Sequence, residues 1–499
     1  MPFRNATQLQ SIDPDLRAEI TGRLDQFREL QHAGLICRTG DFYPTGVHYP
    51  PIVSYEEQDE EAFFAGYQLP ADGMFDVYLH IPFCKSRCLF CHYPLKLGRH
   101  QSAEKDRYLS AFAKEMDLYM DRLGIRIIKA RSILAGGGTP TFLTLDQQRR
   151  FLDTCAERMD LSECTQYNYD VDPVTITGPE GERRLRLLQE YGVDRLTIGI
   201  QSLDDGVLKL MNRHHDARLA VDSVKLSLDM GFQVNIEFIF GYPGQTLGNW
   251  MTDLERAVTL GTHEIQLYRL KIDAYGDFQG PVKELIAADP EILPDNDTQI
   301  MMKAASHAIL RRAGYSENLR RVFSKKPEYF SHYADNQCCK NLDEIGFGLT
   351  AFSSLSDRFG LNTQDWSSYY GMIERGRLPL NRGLVRNPEQ QVRWATILPL
   401  KNRNIYKPRF EELTGRPFGQ VFREKFRRLK HWGLVEETDK LVELTPLGAF
   451  FADEVVQQFE GADYLPYAGS AYASGPLNPY RDNLSIHALG LDDEVAVAS

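Results

Sequence analysis

Three cysteines fall within eight residues: Cys84, Cys88 and Cys91, in the run Tyr78-Leu-His-Ile-Pro-Phe-Cys84-Lys-Ser-Arg-Cys88-Leu-Phe-Cys91. A short loop with this spacing can wrap three thiolates around one cubane, and thiolates suit a soft iron–sulfur centre. Three protein ligands leave the fourth iron of a [4Fe–4S] cluster open. An open iron can chelate the amino and carboxylate groups of S-adenosylmethionine (SAM) and push an electron into its sulfonium. Structural zinc is the alternative, but zinc takes four closed ligands, usually as two separated pairs. Here there is one triplet, and His92 adjoins Cys91 too closely for both to grip one tetrahedral ion. A disulfide framework would spread the eight cysteines out, so the clustering reads as reduced thiols gathered for a metal. Cys155 and Cys164 read as buried small hydrophobes. The adjacent pair Cys338–Cys339 leaves a second metal site open, with plain burial the simpler account.

A cubane needs a rigid rim, and from about residue 75 to 275 the pattern alternates strand and helix. VYLHI is a strand, followed by a helix over Ala103–Leu123 with Tyr108, Phe112, Met116 and Met120 four apart on one face. RSILAG, QYNYDVD, DRLTIGIQ, FQVNIEFIFG and EIQLYRLKI are further strands. Helices are expected over Leu145–Met159, Glu182–Tyr191, Asp205–Met211, Arg218–Met230 and Trp250–Leu260. The crossovers are long enough for parallel pairing, and right-handed βαβ units of this kind close toward a barrel. The expected fold is therefore α/β: a partial (β/α)6 barrel over 71–275. An N-terminal helical extension and loop occupy 1–70, with Asp13 capping a helix to Leu30. A barrel-completing mixed region spans 276–385, with a helix near Thr298–Ala313. A C-terminal helical, winged-helix-like domain spans 386–460, and a Gly/Pro/Ser/Ala-rich flexible tail spans 461–499.

The net charge of −12 argues against nucleic acid or an anionic membrane as partner, because the phosphate term would be repulsive. No apolar run approaches the ~18 residues that span a bilayer, and MPFRNATQLQ has no apolar h-region. The expectation is a cytoplasmic monomer without a membrane span, and the winged-helix-like segment reads as a lid or packing domain.

The segment VYLHIPFCKSRCLFC resembles the radical SAM superfamily, and within it the oxygen-independent coproporphyrinogen III oxidase-like branch, which includes class C methyltransferases and haem chaperones. The resemblance continues through AGGGTPTFL (135–143), Val171-Asp172-Pro173, RLTIGIQSLDDGVLKLMNR (195–213), Gly241-Tyr-Pro-Gly-Gln-Thr246 and IGFGLTAFSS (345–354), and covers about residues 75–460. It implies a [4Fe–4S] cluster on Cys84, Cys88 and Cys91. It also implies SAM contacts from Tyr78, Phe90, Gly137, Gly138, Thr139 and Asp170, where the family has Glu. Gln201, Arg213 and Glu237 match positions that bind a second SAM, with Glu237 replacing an Asp. Lys271 and Phe352 complete the implied cofactor-binding set.

The residues have readings of their own. Gly136–Gly138 end the second strand, as a tight turn or as backbone that approaches a ligand closely with its amides left free. Tyr78 and Phe90 could be core. Asp170 and Asp172 share one face of a strand and must meet polar ligand or solvent, since buried unpaired carboxylates are costly. Arg213 alone reads as a surface cation. Arg269 and Lys271 share a face of the sixth strand: inward, a cationic patch for carboxylates or phosphates; outward, ordinary solvated charges.

Two departures from the oxidase pattern direct the functional expectation. The oxidase carries a further cysteine two residues beyond the third ligand, where this chain has Tyr93, and its residue at the Lys271 position is apolar. The expectation is an enzyme that cleaves SAM to a 5′-deoxyadenosyl radical and uses a second SAM to methylate, or add methylene to, an unsaturated carbon of a planar or tetrapyrrole-like substrate. Its reducing electron donor would be of the flavodoxin or ferredoxin kind. Oxidative decarboxylation of coproporphyrinogen III and haem trafficking are the alternatives. No catalytic residue or specific substrate is assigned.

Overall fold

Six parallel strands form at the expected runs: Met74–Ile81, Ile128–Gly137, Tyr167–Val171, Arg195–Gln201, Gln233–Phe240 and Glu264–Arg269. They lie side by side in sequence order, each parallel to the next. This computed structural model describes residues 12–43, 46, 48–98, 102–272 and 280–483. The helices between the strands start where the side chains can cap them. Thr144 and Gln147 form a reciprocal capping box at Leu145–Arg158, and Thr246 and Asn249 do the same at Leu247–Thr259, while Asp216 caps Ala217–Asp229. Caps explain the shifted boundaries. The last of the crossover helices begins at Leu247 rather than Trp250 because Thr246 is its cap. The helix Gly178–Glu190 begins before Glu182 because Pro179 pre-sets its first turn.

The sheet runs past the six strands on both sides. Glu344–Phe347 lies parallel beside the first strand, followed by antiparallel Phe352–Leu355 and Arg358–Asn362. On the other side Val322–Ser324 pairs antiparallel with the sixth strand. The order is open, as a partial barrel requires, and the stretch from 276 to 385 supplies both flanks.

The chain divides into two compact units. One holds the described residues of Met1–Thr21, Glu56–Gln337 and Leu342–Leu384; the other holds those of Gly22–Tyr55, Cys338–Asn341 and Val385–Ser499. The helix Pro14–His32 is capped by Asp13, whose Oδ1 accepts from the Leu16 amide at 3.0 Å. In the second unit Pro388–Asn402, Lys407–Thr414 and Arg423–His431 are helices, and the hairpin Val435–Glu437/Leu441–Leu444 gains a third strand, Asn404–Tyr406. This is the winged-helix-like arrangement with one strand more than the sequence suggested.

The expected flexible tail over 461–499 is corrected for its first half. Tyr472 and Leu477 are buried, Tyr472 bridges to Cys37, the Leu477 amide donates to the Ala33 carbonyl at 2.9 Å, and Lys425 Nζ donates to the Pro479 carbonyl at 3.0 Å. Small residues there let backbone lie close, while the Tyr and Leu side chains anchor it. Residues 484–499 lie outside the described residues.

One buried acid inside the first unit has a consequence for stability. Glu115, on the helix Ser102–Leu123, accepts from the Gly348 amide (3.0 Å), Asn362 Nδ2 (2.7 Å) and the Tyr369 hydroxyl (2.6 Å). Burial outweighs these bonds and pushes its carboxyl up to about 7. A folded-state value above the unfolded one gives stability that is complete below about 4.5 and is lost as pH rises through about 7, amounting to about 3 kcal/mol. Chemical denaturation of wild type across that window should show this fall, and E115Q should flatten it. Equal slopes in the two proteins would refute the assignment.

Candidate active site

The cysteine loop leaves the first strand at Ile81 and folds back on itself. Phe83–Cys84 pairs with Lys96–Leu97, and the Lys96 amide donates to the Pro82 carbonyl at 3.0 Å. Arg87 Nη1 donates to the carbonyls of Cys91 (3.2 Å) and Tyr93 (3.0 Å), and the Cys91 amide donates to the Cys88 carbonyl. Neighbouring elements hold the thiols. Thr139 Oγ1 lies 3.3 Å from Cys84 Sγ. Arg213 Nη1 donates to Cys88 Sγ at 3.1 Å, while its Nη2 donates to Asp172 Oδ2 (2.7 Å) and to the Gly199 carbonyl (2.6 Å).

Burial pushes the Cys84 thiol up to about 12 and raises Cys91 as well, and the thiols' mutual repulsion adds to both shifts. Soft donors near enough to feel one another's charge suit a strong cation that compensates them. Among the described residues no three His, Cys, Asp or Glu side chains form a group that could hold a metal ion. The fit therefore rests on donor chemistry: three sulfur ligands of one short loop suit an iron–sulfur cluster with an open iron.

The face of the strands that shares these side chains is polar. Tyr78 and His80 follow each other on the first strand, joined by a 3.0 Å hydrogen bond between the Tyr78 hydroxyl and His80 Nδ1. Asn168 Nδ2 donates to Asp170 Oδ1 at 3.1 Å on the third strand. Arg195 bonds Asn168 Oδ1, Thr197 Oγ1 and Glu264. On the fifth and sixth strands the Tyr268 hydroxyl donates to Glu237 Oε1 at 3.0 Å, and Gln266 Nε2 donates to Tyr268 at 2.6 Å.

Asp170 and Glu237 meet across this face. Burial, with the repulsion between them, raises Asp170, and burial raises Glu237. Gln201 ends the fourth strand in the left-handed region, at φ 68°, and its buried Oε1 has no partner among the described residues. An unanswered acceptor on a face that also carries two buried acids fits a cationic ligand with hydrogen-bond donors, as SAM is.

The other expected residues divide. Gly137, at φ +100°, lies where a Cβ would overlap the His80 ring, and a Cβ on Gly138 would come within 2.8 Å of the Ile81 carbonyl oxygen. The close approach is real, but the amides of Gly138 and Thr139 are not free. They donate to the carbonyls of Ile81 and Phe83 at 2.9 Å, tying the second strand to the cysteine loop.

Phe90 lies edge-on to Tyr242, with ring centroids 6.4 Å apart, in an apolar cluster with Met211 and Ile239. Phe352 stacks on Tyr78 at 6.5 Å. Arg269 and Lys271 do not form one inward patch. The sixth strand presents Tyr268 inward, so Arg269 turns the other way and donates to Gln299 Oε1 (2.6 Å) and Asn296 Oδ1 (3.2 Å). Lys271 lies past the strand's end, where its charge helps lower His92 after burial.

Sequence reasoning missed His80, Gln266 and Tyr268, although each sits two residues from another polar or aromatic side chain in an apolar strand. Asp172 was read as a face of the strand; it is the partner of Arg213 and also caps the turn at Val174.

Comparison with known proteins gives these positions their context. The Radical SAM superfamily profile matches residues 78–257, which contain all three cysteines, the end of the first strand and the second to fifth strands, and stop short of the sixth. This chain carries a radical SAM domain. Over 434 residues it is 26% identical to an oxygen-independent coproporphyrinogen III oxidase of Helicobacter pylori, spanning 84% of this chain and 92% of that protein. It is 25% identical over 404 residues to the heme chaperone HemW of Bacillus subtilis, spanning 78% of this chain and all of the relative. The solved structure of the coproporphyrinogen III oxidase HemN of Escherichia coli superposes with a TM-score of 0.71 at 22% identity, covering 83% and 96% of the two chains. That likeness establishes the α/β radical SAM fold. The radical SAM domain implies a [4Fe–4S] cluster and SAM as cofactors. Among the described residues no helix is long and apolar enough to cross a membrane.

Gly136 tests whether Asp170 faces the cofactor. A Cβ at Gly136 would overlap Asp170 Oδ2 and push the carboxylate aside. G136A should raise the SAM dissociation constant of the reconstituted protein about tenfold, which is about 1.4 kcal/mol, without changing iron content. Unchanged affinity by equilibrium dialysis would remove Asp170 from the site.

Proposed function

We propose that the protein binds two SAM molecules and transfers a one-carbon unit, methyl or methylene, to an unsaturated carbon of a planar, tetrapyrrole-like substrate. The observation that carries this reading is the buried pair Asp170 and Glu237, both held above the ordinary carboxylate range, on different strands. One sulfonium beside each would restore both to their charged forms. Cys84, Cys88 and Cys91 would hold the cluster. When bound, it supplies the electron that cleaves one SAM to methionine and a hydrogen-abstracting 5′-deoxyadenosyl radical.

The chain's own residues bind and orient. Asp170, beside Gly136, and Tyr78 serve the SAM at the cluster. Gln201 and Glu237 serve the second, with Tyr268 fixing the Glu237 carboxylate. Arg213 stands between the two positions through Cys88 and Asp172. Phe352, stacked on Tyr78, and Lys271 complete the cofactor-binding set.

SAM carrying a trideuterated methyl group separates the readings. One deuterium should appear in 5′-deoxyadenosine, with S-adenosylhomocysteine formed and no CO₂. E237A and Q201A should lower that transfer at least about tenfold while the cluster and basal SAM cleavage persist; the triple Cys→Ala variant should lose iron, sulfide and all cleavage. Unlabelled 5′-deoxyadenosine with CO₂ from coproporphyrinogen III would establish the decarboxylation suggested by the Helicobacter relative's name. Haem binding without any 5′-deoxyadenosine would establish the chaperone reading.

A further inference from the structure

An acidic chain has a local cationic face at its cysteine loop. Residues 77–103 contain no Asp or Glu, although the whole chain has 69 in 499 residues and a net charge of −12. Lys85, next to Cys84, is exposed and forms no ion pair among the described residues. Arg87 is satisfied by two backbone carbonyls, which fix its direction without cancelling its charge.

A second segment lies against this loop. Leu89 N donates to the Met211 carbonyl at 3.1 Å, Asn212 Nδ2 donates to the Arg87 carbonyl at 2.8 Å, and Ser86 bonds His214. That segment adds Lys209, also exposed and without an ion pair among the described residues. It also carries acids, held at helix starts by amides: Asp204 accepts from Gly206 and Val207, Asp205 from Ala217 and Asp216 from Leu219. Lys96, further along the loop, pairs with Glu104 at 2.6 Å. Tyr93, 41% exposed, adds an aromatic surface to the rim and stacks on His92 at 4.9 Å.

We propose that the rim formed by Lys85, Arg87, Lys209 and Tyr93 is the docking surface for an acidic one-electron carrier protein. The proposal rests on the cluster reading, since the electron it delivers goes to the group held by the adjacent thiols. An acidic carrier is repelled by the −12 chain in most orientations and attracted only where the field reverses, so the charge pattern selects the approach that brings donor and cluster together. One electron passes from the reduced carrier to the oxidised cluster; no bond forms or breaks in docking.

The test uses the full-length, anaerobically reconstituted protein with reduced flavodoxin as carrier, and K129E, at the opposite end of the second strand, as control. K85E/K209E should slow cluster reduction by flavodoxin about tenfold at low salt, and the gap should close near about 0.5 M salt as screening takes over. Reduction by dithionite, which needs no docking, should be unchanged, as should iron content. In a direct titration, oxidised flavodoxin should bind wild type and K129E alike and K85E/K209E at least about fivefold more weakly.

Equal behaviour of K85E/K209E and K129E in the kinetic and binding assays would overturn the surface. A wild type that binds flavodoxin through this rim yet holds no iron would sink the cluster reading and leave the surface standing.

Discussion

One guanidinium holds the site together. Arg213 reaches a thiol of the cysteine loop, the Asp172 carboxylate after the third strand and a backbone carbonyl of the fourth. A buried cation is costly unless it is paired, and here the partners of its two terminal nitrogens come from three separate elements, which one planar group ties together. A lysine would offer a point charge and could satisfy fewer of them. The position of the cysteine loop relative to the strand ends follows from this bridge more than from the loop's own turns.

The second constraint is the inner face of the strands. Strands of a parallel sheet covered on both sides are normally apolar throughout. Here they alternate: Asn168 and Asp170, Asn235 and Glu237, Gln266 and Tyr268 face one way, and Tyr167, Tyr169, Ile236, Phe238, Ile265 and Leu267 face the other. Near the N-terminal strand ends Arg195 bonds Glu264, Asn168 and Thr197. Toward the C-terminal ends the buried Gln201 Oε1 has no partner among the described residues.

Much of this was legible beforehand. The triplet spacing and the strand–helix alternation are local patterns, and the fold follows them; the two-residue spacing of Asp170 and Asp172 is a local pattern too. Arg213 was singled out only through the resemblance, because a lone arginine after a helix reads as solvated until the strand across from it supplies a partner. Arg269 was left open between two faces because the same periodicity cannot say which is inner, and Tyr268 took that side. The amides at Gly138 and Thr139 are spent on the carbonyls of Ile81 and Phe83, a sequence separation no local pattern spans. The Gly- and Pro-rich segment after 460 carries the composition of a loose chain, yet two or three large side chains in it are enough to seat its backbone.

Glu344–Phe347, lying parallel beside the first strand, makes that strand an interior member of the sheet with neighbours on both sides. Edge strands fray at little cost, whereas a strand bonded on both sides opens only when much of the sheet does. The root of the cysteine loop is therefore among the last parts of the chain to loosen. Whatever the three thiols hold would be released with the sheet as a whole, and retention of iron would report on the integrity of the entire barrel.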